Sequence, residues 1–200
     1  MFSRVTATRG VLLRLKEELS FVERSKELLE LKRDDLAREI NKLIGKLTIR
    51  KEIERKIMEG YEELKKAVAS TGYWEIKTKS MSVKPLRIKT LTKSVMGTPI
   101  PALKIEELAD ISDITDVRVR RVAKMFSKII PDILNLAMIE AQIEKLAYEL
   151  MMTNRKVNIL EKAVIPNFKK MIKYIEDKLE EETLEEFVRT KKIKQVITRR

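Results

Sequence analysis

The stretch "LLRLKEELSFVERSKELLELKRDDLAREI", residues 12–40, carries the clearest structural pattern in this chain. Its apolar residues recur at alternating spacings of three and four, and Lys26 and Arg33 are the polar interruptions. This 3.5-residue period is typical of a helix that supercoils left-handedly around a partner helix. The stretch therefore predicts a coiled coil rather than a globular helical core.

The same stripe continues far beyond this stretch. It moves one residue earlier near Arg50 and then runs on to Val68, with no proline anywhere in residues 1–84. Thr8 stands just before the first apolar residues and is a suitable N-cap, because its hydroxyl can accept a bond from a free backbone N–H. We predict one helix over residues 8–70.

A second apolar stripe runs from Val122 to Tyr174. Its polar exceptions are Asp132, Thr153 and Asn167, and the candidate N-caps before it are Asp110, Ser112, Asp113 and Thr115. Pro131 and Pro166 lie within the stripe, whose phase continues across both of them. Since proline removes a hydrogen bond but need not end a helix, we predict one helix over residues 112–198, bent near each proline.

Residues 71–111 have a different composition, with the only tryptophan and three of the five prolines. "EIKTKSMSV" (75–83) and "LRIKTLTKSV" (86–95) partly alternate and carry β-branched residues, which favours short strands. "MGTPIP" (96–101) indicates a loop. We predict a small basic insert with short strands, for which a β-hairpin is one possible form.

The simplest topology pairs the two stripes. The predicted fold class is mainly α, a single elongated domain over residues 1–200: a long antiparallel two-helix coiled coil with the basic insert at its distal end. Some apolar residues lie off the predicted seam and would stay partly bare, namely Leu13, Leu28, Leu31, Ile44, Ile133, Ile159 and Ile165. Bare apolar surface commonly marks contact with a partner.

Composition argues against catalysis. The 200 residues include no cysteine and no histidine, which excludes thiol nucleophiles, imidazole bases and zinc sites built from these residues. The five glycines form no phosphate-binding loop, and the acidic run "EDKLEEETLEE" (176–186) pairs with no group at fixed spacing. We expect no catalytic residue, no cofactor and no metal site.

A net charge of +12 favours an acidic partner, nucleic acid among them. Six basic residues and no acidic one occur in "FVRTKKIKQVITRR" (187–200), and the insert adds Lys77, Lys79, Lys84, Arg87, Lys89 and Lys93. Aromatic residues that could stack on bases are scarce, however. A basic nucleic-acid-binding helical hairpin and a stand-alone coiled-coil adaptor both stay open as alternatives.

The sequence contains no apolar run of about 20 residues and no signal peptide at its start. We therefore expect a soluble protein in the cytoplasm.

Four segments resemble the D subunit of the archaeal A-type and vacuolar-type rotary ATPases. They are "ATRGVLLRLKEEL" (7–19), "LLELKRDDLARE" (28–39), "VMGTPIPAL" (95–103) and "RKVNILEKAVIPNFKKMIKYIEDKLEEETLEEFVRTKKIK" (155–194). Ala7 stands where the family usually has proline, and Ile159 where it has alanine. The last segment is the most specific, and the four follow the family's order along the chain.

The resemblance implies the central rotor shaft of a proton- or sodium-translocating ATPase, noncatalytic in itself and peripheral on the cytoplasmic side of the membrane. The implied partners are the catalytic A and regulatory B subunits, the small F subunit and the funnel-shaped C subunit on the membrane ring. Nucleotide sites would lie on the A and B subunits.

The resemblance also implies roles for particular residues. Both chain ends would enter the cavity of the A/B hexamer, where these basic residues would face acidic surfaces: Arg4, Arg9, Arg14, Arg189, Lys191, Lys192 and Lys194. Candidates for the surface toward the ring or the F subunit are Tyr73, Trp74, Lys84 and Arg87. Pro131 and Pro166 would make the shaft eccentric, or be merely tolerated.

Overall fold

The structure, a computed structural model, describes residues 6–81 and 83–198, except for the side chains of residues 196 and 198. Helix α1 (Arg9–Lys46) leads through a 3-10 turn (Leu47–Ile49) into α2 (Arg50–Thr71) and the short α3 (Tyr73–Ser80). A hairpin of β1 (Arg87–Val95) and β2 (Thr98–Glu107) follows. Helix α4 (Val117–Ile159), a π-helical segment (Leu160–Val164) and α5 (Ile165–Thr198) complete the chain.

This element order confirms the predicted fold class of two long helical stretches joined by a small antiparallel hairpin. The contacts divide the chain into two compact units, Met1–Asp34 with Met151–Arg200 and Asp35–Leu150. Each unit contains a piece of both long helical stretches.

In the first unit, α1 pairs in antiparallel fashion with the end of α4, the π segment and α5. Lys16 Nζ lies 2.7 Å from Glu176, and Lys169 Nζ lies 3.2 Å from Glu23, so the two helices run in opposite directions. Among the described residues of this unit, the buried ones are Thr153, Val157, Ile172 and Ile175. Thr8 caps α1 as predicted, because its Oγ1 accepts a 3.3 Å bond from the Val11 amide.

In the second unit, α1 and α2 pair with α4, and the hairpin covers the pair. Arg50 Nη1 lies 3.1 Å from Glu140, and the Tyr61 and Phe126 rings meet edge to face at 5.8 Å. The core cluster combines residues of α1, α4 and the hairpin: Leu36, Ile40, Leu43, Ile100 and Leu146. The hairpin is therefore held by apolar burial against the coiled coil.

Two polar interruptions of the stripes pair across their seams. The ammonium of Lys26 lies 3.5 Å from Glu161 and 3.4 Å from Glu30, and Lys56 lies 3.3 Å from Asp132. Partial burial alone would lower the pKa of Lys26, but the two carboxylates hold that pKa above its ordinary value. A cation with paired carboxylates is tolerated at a seam where an unpaired one would be costly.

Both irregular helical segments occur where the sequence pattern is irregular. The 3-10 turn Leu47–Ile49 coincides with the one-residue shift of the first stripe near Arg50. The π segment ends two residues before Pro166, and the Ile165 amide donates to the Leu160 carbonyl five residues back. A wider turn relieves the clash that a proline ring makes with the carbonyl four residues earlier.

The strand predicted within residues 75–83 is wrong. Gly72, at φ +90°, ends α2, and α3 begins directly after it. An ion pair of 2.7 Å between Glu75 and Lys79, one helical turn apart, stabilises α3. The ion pair within this helix outweighs the alternating pattern of apolar and polar residues that favoured a strand.

The predicted loop at residues 96–101 is only partly correct. Met96 and Gly97 form the turn, while Pro99 and Pro101 lie inside β2. These prolines share their orientation with Leu103, whose amide turns away from β1 and donates to Met138 Sδ at 3.3 Å. An N–H at either proline position would likewise point away from β1, so the prolines remove no hydrogen bond between the two strands.

None of the four predicted caps begins α4, which starts at Val117 rather than at residue 112. The cap is Asp116, whose Oδ1 accepts bonds from the amides of Arg118 at 2.8 Å and Val119 at 3.4 Å. Asp110 instead closes a local turn through the Ser112 amide. Several adjacent residues can cap a helix, so sequence alone did not identify the one used.

Candidate partner-binding surfaces

The basic residues proposed for the chain ends lie on exposed helix surface. Arg9 is the first residue of α1, and Arg14 pairs with Glu18 at 3.0 Å. Arg189 lies 3.4 Å from Glu185 on α5, and Lys191 and Lys192 are exposed. Lys194 is also an exposed residue of α5, whereas Arg4 lies outside the described residues.

The last turns of α5 are bare. Every side chain from Glu180 to Gln195 is exposed. The exposed residues include large apolar side chains, namely Leu184, Phe187, Val188, Ile193 and Ile197. Phe187 is 67% exposed, as much as a polar surface residue would be. Exposed apolar and basic side chains on one helix are typical of a surface that binds another protein.

The aromatic residues proposed for the insert lie together on α3. The Tyr73 and Trp74 rings meet edge to face with centroids 5.7 Å apart, and Lys77 Nζ lies 5.1 Å from the Trp74 ring centre. Trp74 is 74% exposed. An exposed aromatic pair beside a cation suits a protein–protein contact.

Lys84 and Arg87 already have partners within the chain. Lys84 Nζ lies 3.1 Å from Asp110 Oδ2, and Arg87 Nε lies 3.4 Å from Glu107 Oε2. Bonds from Ser112 and Lys84 lower the pKa of Asp110 to about 2. These two cations therefore close the base of the hairpin, and Tyr73 and Trp74 lie on a different element.

The two prolines differ in their surroundings. Pro131 lies inside the continuous α4, whereas Pro166 is the second residue of α5, after the π segment. Both side chains are half-buried. Whether either proline bends its helix stays a prediction.

A basic run at the start of α4 was not among the predicted surfaces. From Val117 to Pro131 the chain has five arginine or lysine residues and no acidic one. The sequence carries the signal as a run of one charge sign, but only the structure shows that the run falls at the N-terminus of a helix.

Neither a metal-binding cluster nor a membrane-spanning helix is found among the described residues. Residues 6–81 and 83–198 contain no cluster of three or more side chains suited to a metal ion. The helices of the same ranges also include no candidate for a transmembrane span.

Comparison with known proteins decides the family. A family profile for the D subunit of ATP synthase matches residues 11–195. The chain belongs to the ATP synthase D-subunit family. The matched range includes the hairpin and all but the outermost residues of both long helical stretches.

Curated members of the D-subunit family match along nearly their full length. The D subunit of the A-type ATP synthase of Thermococcus kodakarensis is 32% identical, over 98% of this chain and 96% of that protein. The A-type D subunit of Pyrococcus abyssi is 33% identical over the same shares. The D subunit of the V-type ATP synthase of Thermotoga neapolitana is 31% identical, over 98% of this chain and 99% of that protein.

Proposed function

We propose that this D subunit is the central rotor shaft of an A/V-type ATPase, transmitting torque between a catalytic A/B hexamer and a membrane ion-translocating ring. The observation that carries the proposal is the bare end of α5, where basic and apolar side chains lie exposed on one helix. A surrounding hexamer would cover these side chains. The long antiparallel pairing within each unit supplies the stiffness that a shaft needs.

The shaft itself is noncatalytic in this proposal, and ATP turns over on the A and B subunits. Its further partners are the small F subunit and the funnel-shaped C subunit, and the complex holds it at the cytoplasmic side of the membrane. The exposed Tyr73–Trp74 pair on α3 is the candidate contact toward the F subunit or the ring.

Torque transmission follows from how the seam is packed. A shaft resists twisting when side chains of both helices interlock along its length, as Leu36 and Leu146 do in the second unit, where neither is exposed. It must also contact the three catalytic interfaces unequally. Unequal contact favours a different state at each interface, which is the thermodynamic requirement for coupling.

Charge reversal at the end of α5 tests the proposal. A variant with Arg189→Glu, Lys191→Glu and Lys192→Glu should bind the A/B hexamer about ten-fold more weakly, and more so at low salt, because attraction becomes repulsion. The control variant carries Lys162→Glu, Lys170→Glu and Lys173→Glu, three exposed cations earlier along the chain. Affinity is measured by titrating the labelled shaft protein into reconstituted hexamer.

The control should retain the affinity of the wild-type protein. Wild-type affinity of the first variant at low salt would contradict a docking role for these cations. Failure of the wild-type protein itself to bind any A/B hexamer would contradict the shaft proposal as a whole.

A further inference from the structure

The first turns of α4 concentrate positive charge where it is least favourable for the helix. Arg118, Arg120, Arg121, Lys124 and Lys128 are all exposed, and no acidic residue occurs between Val117 and Pro131. The N-terminus of a helix is the positive end of its dipole, so the cations of the first turn, Arg118 and Arg120, destabilise the helix. The capping residue Asp116 is acidic, but its carboxylate is occupied by the amides of Arg118 and Val119.

Few of these cations are neutralised within the chain. Among the described residues, no carboxylate lies within ion-pair distance of Arg118, Lys124 or Lys128, although many other cations of the two units have such a partner. Arg120 Nε donates to the Ile114 carbonyl at 2.6 Å. Glu63 on α2 lies close enough to Arg121 for a charge interaction, but it is bonded to Lys66 at 2.8 Å.

The cations line one face together with apolar side chains. Val117, Arg121, Lys124 and Lys128 are separated by four, three and four residues, so they fall within an arc of about 60° on the helix. Arg118 flanks this arc, about 60° beyond Arg121, and lines the neighbouring groove toward α2. Val117 is 78% exposed, and Met125 lies beside it in the same shallow groove. A neighbouring groove continues from Val117 to Lys66 and Ser70 of α2.

We propose that this surface, the α4 basic face (Val117, Arg118, Arg121, Lys124 and Lys128), binds an acidic amphipathic segment of a partner protein. The carboxylates of the segment would pair with the four cations, and an apolar side chain would cover Val117 and Met125. This inference rests on the proposed function, because it assigns a third partner contact of the same shaft, on a different helix from the end of α5 and from the aromatic pair of α3.

The apolar side chains of this groove, Val117 and Met125, favour a protein over the other anionic partners. A phosphate backbone would meet the cations but would leave Val117 and Met125 without apolar contact. One exposed valine beside a half-buried methionine is a small apolar area compared with the apolar face that an amphipathic helix inserts among lipid chains. A protein segment with carboxylates around an apolar anchor satisfies both features, and such a contact is expected to weaken with salt.

Charge reversal and cross-linking on the intact complex test the inference. A variant with Arg118→Glu, Arg121→Glu, Lys124→Glu and Lys128→Glu is compared with a control carrying Lys145→Glu, Arg155→Glu, Lys156→Glu and Lys162→Glu, which are exposed cations later along the chain. Both are reconstituted with purified A, B, C and F subunits. Circular dichroism and thermal unfolding check that each variant folds.

The first variant should lose affinity for one of the two smaller partners, F or C, by about ten-fold or more, while its affinity for the A/B hexamer stays at the wild-type value. The control should bind every partner normally. A photo-cross-linking residue in place of Val117 should join a segment of that same partner that is rich in aspartate and glutamate.

Three results would overturn the inference. The first is unchanged affinity of the variant for both F and C. The second is a cross-linked segment without acidic residues. The third is binding at physiological salt to phosphatidylglycerol vesicles or to duplex DNA that the reversal abolishes. Failure of the wild-type protein to join the A/B hexamer would contradict the proposed function instead, so the two failures are distinguishable.

Discussion

Met96 adopts a conformation that few side chains accept. It has φ 52°, and Gly97 follows with φ 79°, so the two residues form the tight turn between Val95 and Thr98. Positive φ at both central positions is the geometry in which Asn-Gly is preferred. Met96 therefore stores strain at the tip of the hairpin.

We expect Met96→Asn to raise the free energy of unfolding by about 1 kcal/mol, because asparagine tolerates left-handed φ better than methionine. The matched control is Met81→Asn, at an exposed methionine with φ −71°. Chemical denaturation measures both. An equal effect of the two substitutions would contradict the proposed strain.

Asp110 makes part of the stability of the fold depend on pH. Bonds from Ser112 and Lys84 lower its pKa from an ordinary 3.8 to about 2. A carboxylate with a lowered folded-state pKa stabilises the fold above its ordinary pKa, and this stabilisation is lost as the pH falls through the folded-state value.

We therefore expect wild-type protein to be more stable than Asp110→Asn at neutral pH, with a difference that shrinks as the pH falls from about 4 to about 2. Urea midpoints across this range measure the difference. Asp177→Asn, at an exposed aspartate on α5, is the control for the removal of a surface carboxylate. A difference independent of pH would refute the role of Asp110.

At the scale of elements, Gly60 lets α2 approach α4 closely. A Cβ added at Gly60 would lie 3.3 Å from Phe126 Cζ, whereas a Cβ at Gly45 would meet nothing within 4 Å. Both glycines lie in helices, where alanine is ordinarily preferred by roughly 0.5–1 kcal/mol. The pair therefore separates intrinsic helix preference from packing.

Gly45→Ala should raise the free energy of unfolding by about 0.5–1 kcal/mol. Gly60→Ala should give a smaller gain or a loss, because Phe126 must move to admit the methyl group. Thermal and denaturant unfolding of the two variants measure this. Equal gains would show that the two helices are not closely packed at Gly60.

The long helices were predictable and the connecting elements less so. A 3.5-residue period repeated over tens of residues is a redundant signal, which is why the helical stretches and the Thr8 cap were found. The eight residues of α3 offered only a few alternating side chains, and their helix depends on the end of α2 at Gly72. Pro99 and Pro101 were predicted as loop because proline usually disrupts a strand. Only the pairing of β2 with β1 shows that these two positions need no N–H for the hydrogen bonds between the strands.

The site was predicted less completely than the fold. The sequence indicated exposed cations, but it did not show that Lys84 and Arg87 are already paired with Asp110 and Glu107. Such pairs join residues that are distant in sequence, so they appear only after the hairpin is built. The solvent exposure of the last turns of α5 likewise depends on where the other helices pack, which the sequence does not show.

At the scale of the whole molecule, we propose a protein that transmits torque without catalysing a reaction, and whose proposed functional surfaces all bind other proteins. The end of α5, the aromatic pair on α3 and the α4 basic face are three distinct surfaces, each on a different helix.

The absence of cysteine from the sequence makes the most direct measurement possible, because a single introduced thiol gives one unambiguous attachment point. Lys93→Cys places it on the exposed strand β1. A bead attached there is observed on immobilised A/B hexamer supplied with ATP. The shaft proposal predicts that the bead rotates in one direction as ATP is hydrolysed, and a bead that stays still on a hexamer that is hydrolysing ATP would contradict it.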